Sequence, residues 1–484
     1  MSPASSKRSR TGTGFKLPAA ERVNAPAFRF QNLRGGVLVT NEWGYHHLLS
    51  PGEFRSFLAG GPKKKEALWV ELQPKGFIRD HLDFQELAGR CRVRDLVGWP
   101  GPNLHVMALT SECDAACGYC SAGSSGKGGK RMSLETARRT VEFIFSTPGP
   151  EITIEFQGGE PLLNWPALEF TVLFSKKLAE ASGRRLHLSL ITNFTAMDEG
   201  RLSFLAREGV SLCTSLDGPR EVHDANRGAG SHEKVCHWLG RVKKLRESGE
   251  FPMDPPNAVC TVTRAALGRG RDIVDEFVRL GLERVQLGPL DFLGRARSSW
   301  GEVGYRPAEF VEFYRAALDR ILELNASGTR AYEKAALIFL IRILRQEHWR
   351  YPNVDVLCRL AYGPDGSIYP SDEARLLAAN GDAVFRMGNV ADARYADLLG
   401  HPAAKLSVAS AYFGSRPRCS RCVWAPYCRI SPAIHYAAQG DPWGRLPSSD
   451  RCAIHLGVFG LIFERLRDAA KRKALESWLE YSSR

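Results

Sequence analysis

A chain of 484 residues with 44% hydrophobic and 25% charged side chains is too long for one ordinary core and reads as a soluble globular protein of two to four units. No apolar run approaches a membrane-spanning helix, and the basic start MSPASSKRSRTGTGFK lacks the apolar centre of a secretory signal. These features exclude a membrane protein and predict a cytoplasmic one, whose twelve cysteines are metal ligands or buried thiols and not disulfides.

Residues 1–26 are polar and rich in Gly, Ser and Pro, and are expected to be a disordered basic tail. Over 27–98, FRF, VLVT and YHHLLS are short strand-like runs separated by GG and NEWG turns. Two helices follow, PGEFRSFLAG with Pro51 in its first turn and KKEALWVELQPKG ending at Gly76, which suggests a winged-helix-like module. From 99 to 306 strand and helix alternate. LHVMALT, EITIEF, LHLSLIT, VSLCTSL, NAVCTVT and RVQLGPL read as strands, and helices such as SLETARRTVEFIFS, capped by Ser133, separate them. Six β/α units with apolar strands predict an α/β fold with a partial or complete parallel barrel. Alternation alone does not separate an open six-stranded barrel from a closed eight-stranded one. Residues 307–350 read as two long bridging helices, and 351–455 as turns and short strands stapled by cysteines. A final amphipathic helix occupies 456–484.

The net charge of +13 admits nucleic acid or an acidic partner, but the basic residues are dispersed and lack an aromatic-interleaved stripe. A solvated surface accounts for them, and neither nucleic acid nor membrane is an expected partner.

Directly after the first barrel strand, SECDAACGYCSAG sets Cys113, Cys117 and Cys120 at C-x3-C-x2-C spacing. Three thiolates can hold three irons of a 4Fe–4S cluster and leave the fourth open, whereas a zinc knuckle needs a remote fourth ligand. EITIEF runs into Gln157, Gly158, Gly159, Glu160 and Pro161. Paired glycines allow close approach to the backbone and a glutamate there can receive an ammonium group; a plain Gly-Pro turn explains the same letters. LSLITNFT and CTSLDGPREVHDANR likewise end their strands in polar residues.

With these motifs the stretch 103–300 resembles the radical S-adenosylmethionine (SAM) enzymes. The resemblance implies a partial (β/α)6 TIM-like barrel, a cluster on Cys113, Cys117 and Cys120, and SAM on its fourth iron. It further implies a 5′-deoxyadenosyl radical that removes a substrate hydrogen, with the protein positioning and shielding the reaction. Matched residue by residue, Tyr119 packs near the adenine, Gly158, Gly159 and Glu160 hold the methionine end, and Ser215 and Arg227 contact SAM. Leu290 matches an apolar contact to the same cofactor. His223 and Asp224 are expected to have a structural role in their loop.

Further along, Cys419, Cys422, Cys428 and Cys452 follow a C-x2-C-x5-C pattern with a distant fourth member, which fits a four-thiolate cluster or zinc. This segment resembles the SPASM domain, which usually carries two auxiliary clusters. Two cysteines of that pattern are absent, replaced by Ser371 and Pro432, and both belong to the inner cluster. One auxiliary 4Fe–4S cluster on the four remaining cysteines is therefore expected, zinc being the alternative. Cys358 is then a leftover thiol or a ligand of a labile partial site. Asp372, beside Ser371, matches the general base of sulfatase-maturing relatives; a turn or N-cap aspartate is the other reading. Cys91, Cys213, Cys236 and Cys260 lie in regular segments without ligand spacing and are read as packing residues.

The front module resembles the PqqD-like element to which a leader peptide adds as a strand. Together with SDEAR and FRMGNV, the arrangement is similar to the His-Xaa-Ser system radical SAM maturases. The resemblance implies a maturase of a ribosomally synthesised peptide, supplied with electrons by a donor such as flavodoxin or ferredoxin. A maturase of a folded protein, of the sulfatase-activator type, and a zinc-containing binding protein are the alternatives.

Overall fold

The strand run GVLVTN is buried along its whole length, and Asn41 at its end closes the turn that follows. The computed structural model describes residues 24–95, 101–124, 126, 128–345, 355–412, 414 and 416–483. The expected basic tail lies almost wholly outside these residues, as do 96–98 of the front module and the junction 346–354. Two compact units divide the chain between Gly89 and Arg90.

In the first unit, β1 (Phe28–Leu33), β2 (Gly36–Asn41) and β3 (His46–Leu49) form an antiparallel meander, with Phe28 opposite Asn41 and Val37 opposite Leu49. Asn41 closes the NEWG turn: its Oδ1 accepts from the Tyr45 amide at 3.1 Å and its Nδ2 donates to the Lys75 carbonyl at 2.7 Å. Ser50 and Glu53 cap the helix Pro51–Leu58 reciprocally. That helix and Ala67–Leu72 bury Phe57 and Leu72 against Val39, Leu49, Phe77 and Ile78. The three-strands-then-helices order matches the expectation, and a third helix, Phe84–Asp95, which contains the Gly89–Arg90 division, was not foreseen.

The second unit is built on a nine-stranded sheet. Its strands are β4 (Leu104–Ala108), β5 (Glu151–Gln157), β6 (Arg185–Thr192), β7 (Val210–Ser215) and β8 (Asn257–Val262). The short β9 (Arg284–Val285) lies outside it, paired with β11 (Tyr332–Glu333), and β10 (Leu287–Pro289) is the edge strand next to β8. β12 (Arg359–Tyr362), β13 (Ser367–Tyr369) and β14 (Gly388–Asn389) complete the sheet in the order β10-β8-β7-β6-β5-β4-β12-β13-β14. All six strands expected for the barrel are present and parallel. The sheet is open: β10 does not return to β4. A seventh parallel strand, β12 from the carboxy-terminal part, pairs with β4 instead, and the β12–β13–β14 meander extends the sheet. His105 bolts this join. Its Nε2 donates to the Pro102 carbonyl at 3.1 Å, so its Nδ1 accepts from the Tyr362 hydroxyl at 2.8 Å. Burial pushes this imidazole down to about 3, so it stays neutral.

On β5, Ile152, Ile154 and Phe156 are fully buried, and helices Leu134–Ser146 and Trp165–Ser182 follow the strands on either side. Two expectations need correction. His223 and Asp224 lie not in a loop but on a helix, Arg220–Arg227, where Asp224 accepts from the amides of Gly230 and His232 and so starts the next helix. The single terminal helix is two, Asp450–Leu466 and Ala469–Ser477, because Asp468 caps the second by accepting from the amides of Ala470 and Lys471. The region beyond 355 also contains more helix than its turn-rich composition suggests: Asp372–Ala379, Pro402–Ala411 and Pro432–Gln439.

Candidate active site

The cysteine loop leaves the carboxyl end of β4 and is tied at its neck. The Met132 amide donates to the Leu109 carbonyl at 2.9 Å and the Ser111 amide to the Lys130 carbonyl at 2.9 Å, while Arg131 Nε donates to Glu112 at 2.8 Å. Asn164 Nδ2 binds both neck carbonyls, of Leu109 at 2.8 Å and Met132 at 3.0 Å. Farther out, Arg295 donates to the carbonyls of Cys117 at 2.6 Å and Ser124 at 2.9 Å, and Ser299 to that of Gly118 at 2.8 Å. The segment after β10 thus holds the outer part of the loop. Gly294 has a φ of 61°, and a Cβ there would meet the Cys120 carbonyl oxygen at 2.4 Å. Cys117 is buried, Cys113 and Cys120 half-buried, and burial pushes the Cys113 thiol up to about 12.

The GGEP segment packs directly on this neck. Amides of Gly159 and Glu160 donate to the carbonyls of Thr110 and Glu112, each at 2.8 Å. A Cβ on Gly158 would meet the Thr110 oxygen at 2.4 Å and one on Gly159 the Glu112 oxygen at 2.0 Å. These glycines therefore permit chain-to-chain contact, which gives them a physical reason beyond the ligand approach expected from sequence. Glu160 is 1% exposed; its carboxylate accepts from the Leu162 amide at 3.0 Å, Thr192 Oγ1 at 2.7 Å and the Asn193 amide at 2.8 Å. Burial pushes its carboxyl up to about 7 despite those bonds. A cationic group beside it would favour the ionised form.

On the next strands, Ser215 ends β7 half-buried, and Arg227 sits on the helix behind it. Asp217, which the motif reading passed over, organises Arg227 and Tyr119. Its carboxylate accepts from Arg227 Nε at 2.9 Å, the Tyr119 hydroxyl at 2.8 Å, Asn226 Nδ2 at 3.2 Å and the Thr261 amide at 3.1 Å. The Arg227 guanidinium also lies 5.3 Å over the Tyr119 ring. An acidic residue between two expected ligands of one motif was the available signal. Leu290 follows β10 and is 6% exposed. Cys113, Cys117, Cys120, Tyr119, Glu160, Ser215, Arg227 and Leu290 thus all follow carboxyl ends of parallel strands.

Asp372 opens the helix Asp372–Ala379, where Arg375 Nε donates to it at 2.7 Å; Arg375 also reaches Gln157 Oε1, at the end of β5, at 3.4 Å. Ser371, one of the two missing cysteine positions, is fully buried and caps this helix by accepting from the Ala374 amide. Pro432, the other, begins the buried start of Pro432–Gln439. The backbone of Cys358 accepts from the amides of Asn103 and Leu104.

Cys419, Cys422, Cys428 and Cys452 line one enclosed cavity with Arg416, Arg418, Trp424 and His455, and Cys358 is not among its walls. Two observations fit an iron–sulfur cluster there. Among the described residues, only one group of three or more His, Cys, Asp or Glu side chains has its ligand atoms within 4.8 Å of one another, and it is neither cysteine set. A single tetrahedral zinc with ~2.3 Å Zn–S bonds needs sulfurs about 3.8 Å apart, whereas a cube spreads its thiolates over four irons. Second, Trp424 Nε1 is buried with no hydrogen-bond partner among the described residues, and His455 Nδ1 lies 3.4 Å from Cys428 Sγ. An unpartnered buried donor on a residue that lines this cavity suits sulfide acceptors.

An open parallel sheet with a three-cysteine loop at its carboxyl end is the framework of a radical SAM domain, the class to which the similarities of this chain point. Residues 107–249 match the family model of the radical SAM superfamily. A cysteine-type anaerobic sulfatase-maturating enzyme of Clostridium perfringens is 25% identical over 351 residues, covering 68% of this chain and 88% of the relative. Native anSMEcpe with bound AdoMet and Kp18Cys peptide superposes with a TM-score of 0.64 at 22% identity, over 77% of this chain and 100% of that one. Streptococcus suis SuiB bound to the precursor peptide SuiA gives 0.52 at 12% identity, over 86% and 97%. These structural likenesses carry the fold, including the regions outside the matched domain. No helix among the described residues is long and apolar enough to cross a membrane.

Proposed function

We propose that this chain is a maturase that uses SAM to oxidise or crosslink a ribosomally synthesised peptide. The carrying observation is the convergence of the tied cysteine loop, buried Glu160 and the Tyr119–Asp217–Arg227 network at one end of the sheet. Cys113, Cys117 and Cys120 would hold a 4Fe–4S cluster, and with SAM bound it supplies a 5′-deoxyadenosyl radical that abstracts hydrogen from an unactivated carbon. Glu160 receives the cofactor's ammonium group, while Gly158 and Gly159 fix the segment that carries it. Arg227, oriented by Asp217, offers its guanidinium to the carboxylate, and Ser215 and Leu290 line the same side. Asp372, held by Arg375 over the end of β5, accepts a substrate proton. Cys419, Cys422, Cys428 and Cys452 hold one auxiliary 4Fe–4S cluster.

The front meander leaves β1 and β3 as sheet edges, to which an extended leader segment can add. A flavodoxin or ferredoxin supplies electrons. The similarity to a sulfatase-maturating enzyme over 88% of its length favours, as a second reading, a folded protein partner; the His-Xaa-Ser subfamily is the narrower form of the first.

Anaerobic reconstitution tests the reading. A brown protein with about eight irons per chain, cleaving SAM to 5′-deoxyadenosine when reduced, is expected. A colourless zinc protein that leaves SAM intact overturns it, and about twelve irons contradict the reading of Ser371 and Pro432. Asp372→Asn is expected to retain SAM cleavage and lose product formation.

A further inference from the structure

On the helix Ser231–Glu247, His232 and Cys236 stand one turn apart, and the helix Gly270–Arg279 brings Glu276 against them. His232 Nε2 is 2.8 Å from Glu276 Oε1, and Cys236 Sγ is 3.6 Å from the same nitrogen. Among the described residues, this is the group whose ligand atoms all lie within 4.8 Å. The His232 and Glu276 side chains are 8% and 10% exposed, and Cys236 is half-buried. Around a tetrahedral zinc, nitrogen, sulfur and oxygen ligands at ~2.0–2.3 Å stand about 3.3–3.6 Å apart. Cys236 Sγ is also 3.7 Å from His232 Nδ1, so the imidazole must turn to aim Nε2 at an ion shared with the sulfur, and the His232–Glu276 contact must open by roughly half an ångström.

A positive charge already occupies this place. Arg279 donates to Glu276 through Nε at 2.7 Å and through its terminal nitrogen at 2.6 Å, and that nitrogen is 3.9 Å from Cys236 Sγ. Its side chain is 60% exposed, so it can swing into solvent and yield to an ion. Behind the group, the His223 ring packs edge-on to His232 at 5.6 Å. His223 Nδ1 accepts from the Asp217 amide at 3.2 Å, and its buried Nε2 has no partner among the described residues. The cluster therefore stands one imidazole behind the residue that orients Tyr119 and Arg227.

We propose that His232, Cys236 and Glu276 form an exchangeable zinc-class divalent-cation site, with water as fourth ligand and the Arg279 guanidinium as the competing occupant. The mixed N, S and O donor set favours zinc-like ions over magnesium or calcium. Occupancy would staple the two helices across the wall behind Asp217.

The test uses full-length protein with its clusters reconstituted, so that the seven cluster cysteines are filled, and cobalt(II) as probe under anaerobic dialysis. Wild type is expected to bind one more cobalt equivalent than Cys236→Ser and alone to give a thiolate-to-cobalt charge-transfer band, which zinc abolishes. Glu276→Gln should weaken binding at least tenfold, and Arg279→Ala should tighten it severalfold by removing the competitor. Equal cobalt uptake by wild type, Cys236→Ser and Glu276→Gln overturns the site. So does weaker binding in Arg279→Ala, because the guanidinium would then be a structural partner and not a competitor. Unchanged SAM cleavage by the variants checks that they fold.

Discussion

The two cysteine sites solve opposite problems. At the front, three thiols sit on a loop whose shape is dictated by carbonyl and amide contacts from β5, the segment after β10 and Asn164, and whose open side meets Glu160, Asp217 and Arg227. At the back, four thiols line an enclosed cavity walled by Trp424, Leu456 and Phe459, and the buried Trp424 Nε1 has no partner among the described residues. The difference teaches that an incomplete ligand set needs a scaffold that replaces the missing ligand's constraint, whereas a complete set closes on itself and needs only shielding and charge compensation.

The comparison breaks most visibly at the front loop. Cys117→Ala should lower SAM cleavage by at least ~10³-fold and remove about four irons, whereas Cys428→Ala should remove about four irons and spare SAM cleavage to within ~10-fold. Iron analysis and 5′-deoxyadenosine release distinguish the two; equal loss of cleavage would mean that the sites are not separable. Next in size, Asp217→Ala leaves Arg227 buried without its carboxylate, and a broken buried pair costs about 3–5 kcal/mol. Weakened SAM binding of about 100-fold or more, or a lowered melting temperature, is expected, and Asp217→Asn should be milder. Glu160→Gln should weaken SAM binding ~10–100-fold. Because burial holds this carboxyl near about 7, it is protonated below that pH and ionised above it. Affinity for the cationic cofactor should therefore rise between pH 6 and 8, and Gln at this position should flatten the profile; calorimetric titration checks both. The smallest effect belongs to the back. Trp424→Phe removes one donor from the cavity and should lower the auxiliary cluster's reduction potential with little change in SAM cleavage, read by spectroscopic redox titration.

Much of the front site was legible because its residues fall in short motifs after strands whose apolar alternation is plain, from LHVMALT to VSLCTSL. Asp217 was not, since an acidic residue before Gly-Pro reads as a turn former, and only the fold shows four donors converging on it. His232 and Cys236 were likewise hidden. Their one-turn spacing is a real signal, but the third member, Glu276, comes from another helix. The partnership of β12 with β4 left no local trace, because parallel pairing between distant segments is recorded in neither strand's own letters. Ser371 and Pro432 stand at the starts of two helices, Asp372–Ala379 and Pro432–Gln439, which the turn-rich letters around them do not announce.

That distant pairing has a cost during synthesis. β4 bears the cysteine loop at one end, yet His105 waits for Tyr362, 257 residues later. At 5–20 residues per second, ribosomes leave the β4 edge without this neighbour for about 13–50 s. An unpaired parallel strand is an invitation to aggregation, and a chain truncated near residue 306 would carry it permanently. The carboxy-terminal segment is therefore a lock on the barrel as much as a holder of cysteines, and cutting it away should yield insoluble protein instead of a minimal enzyme.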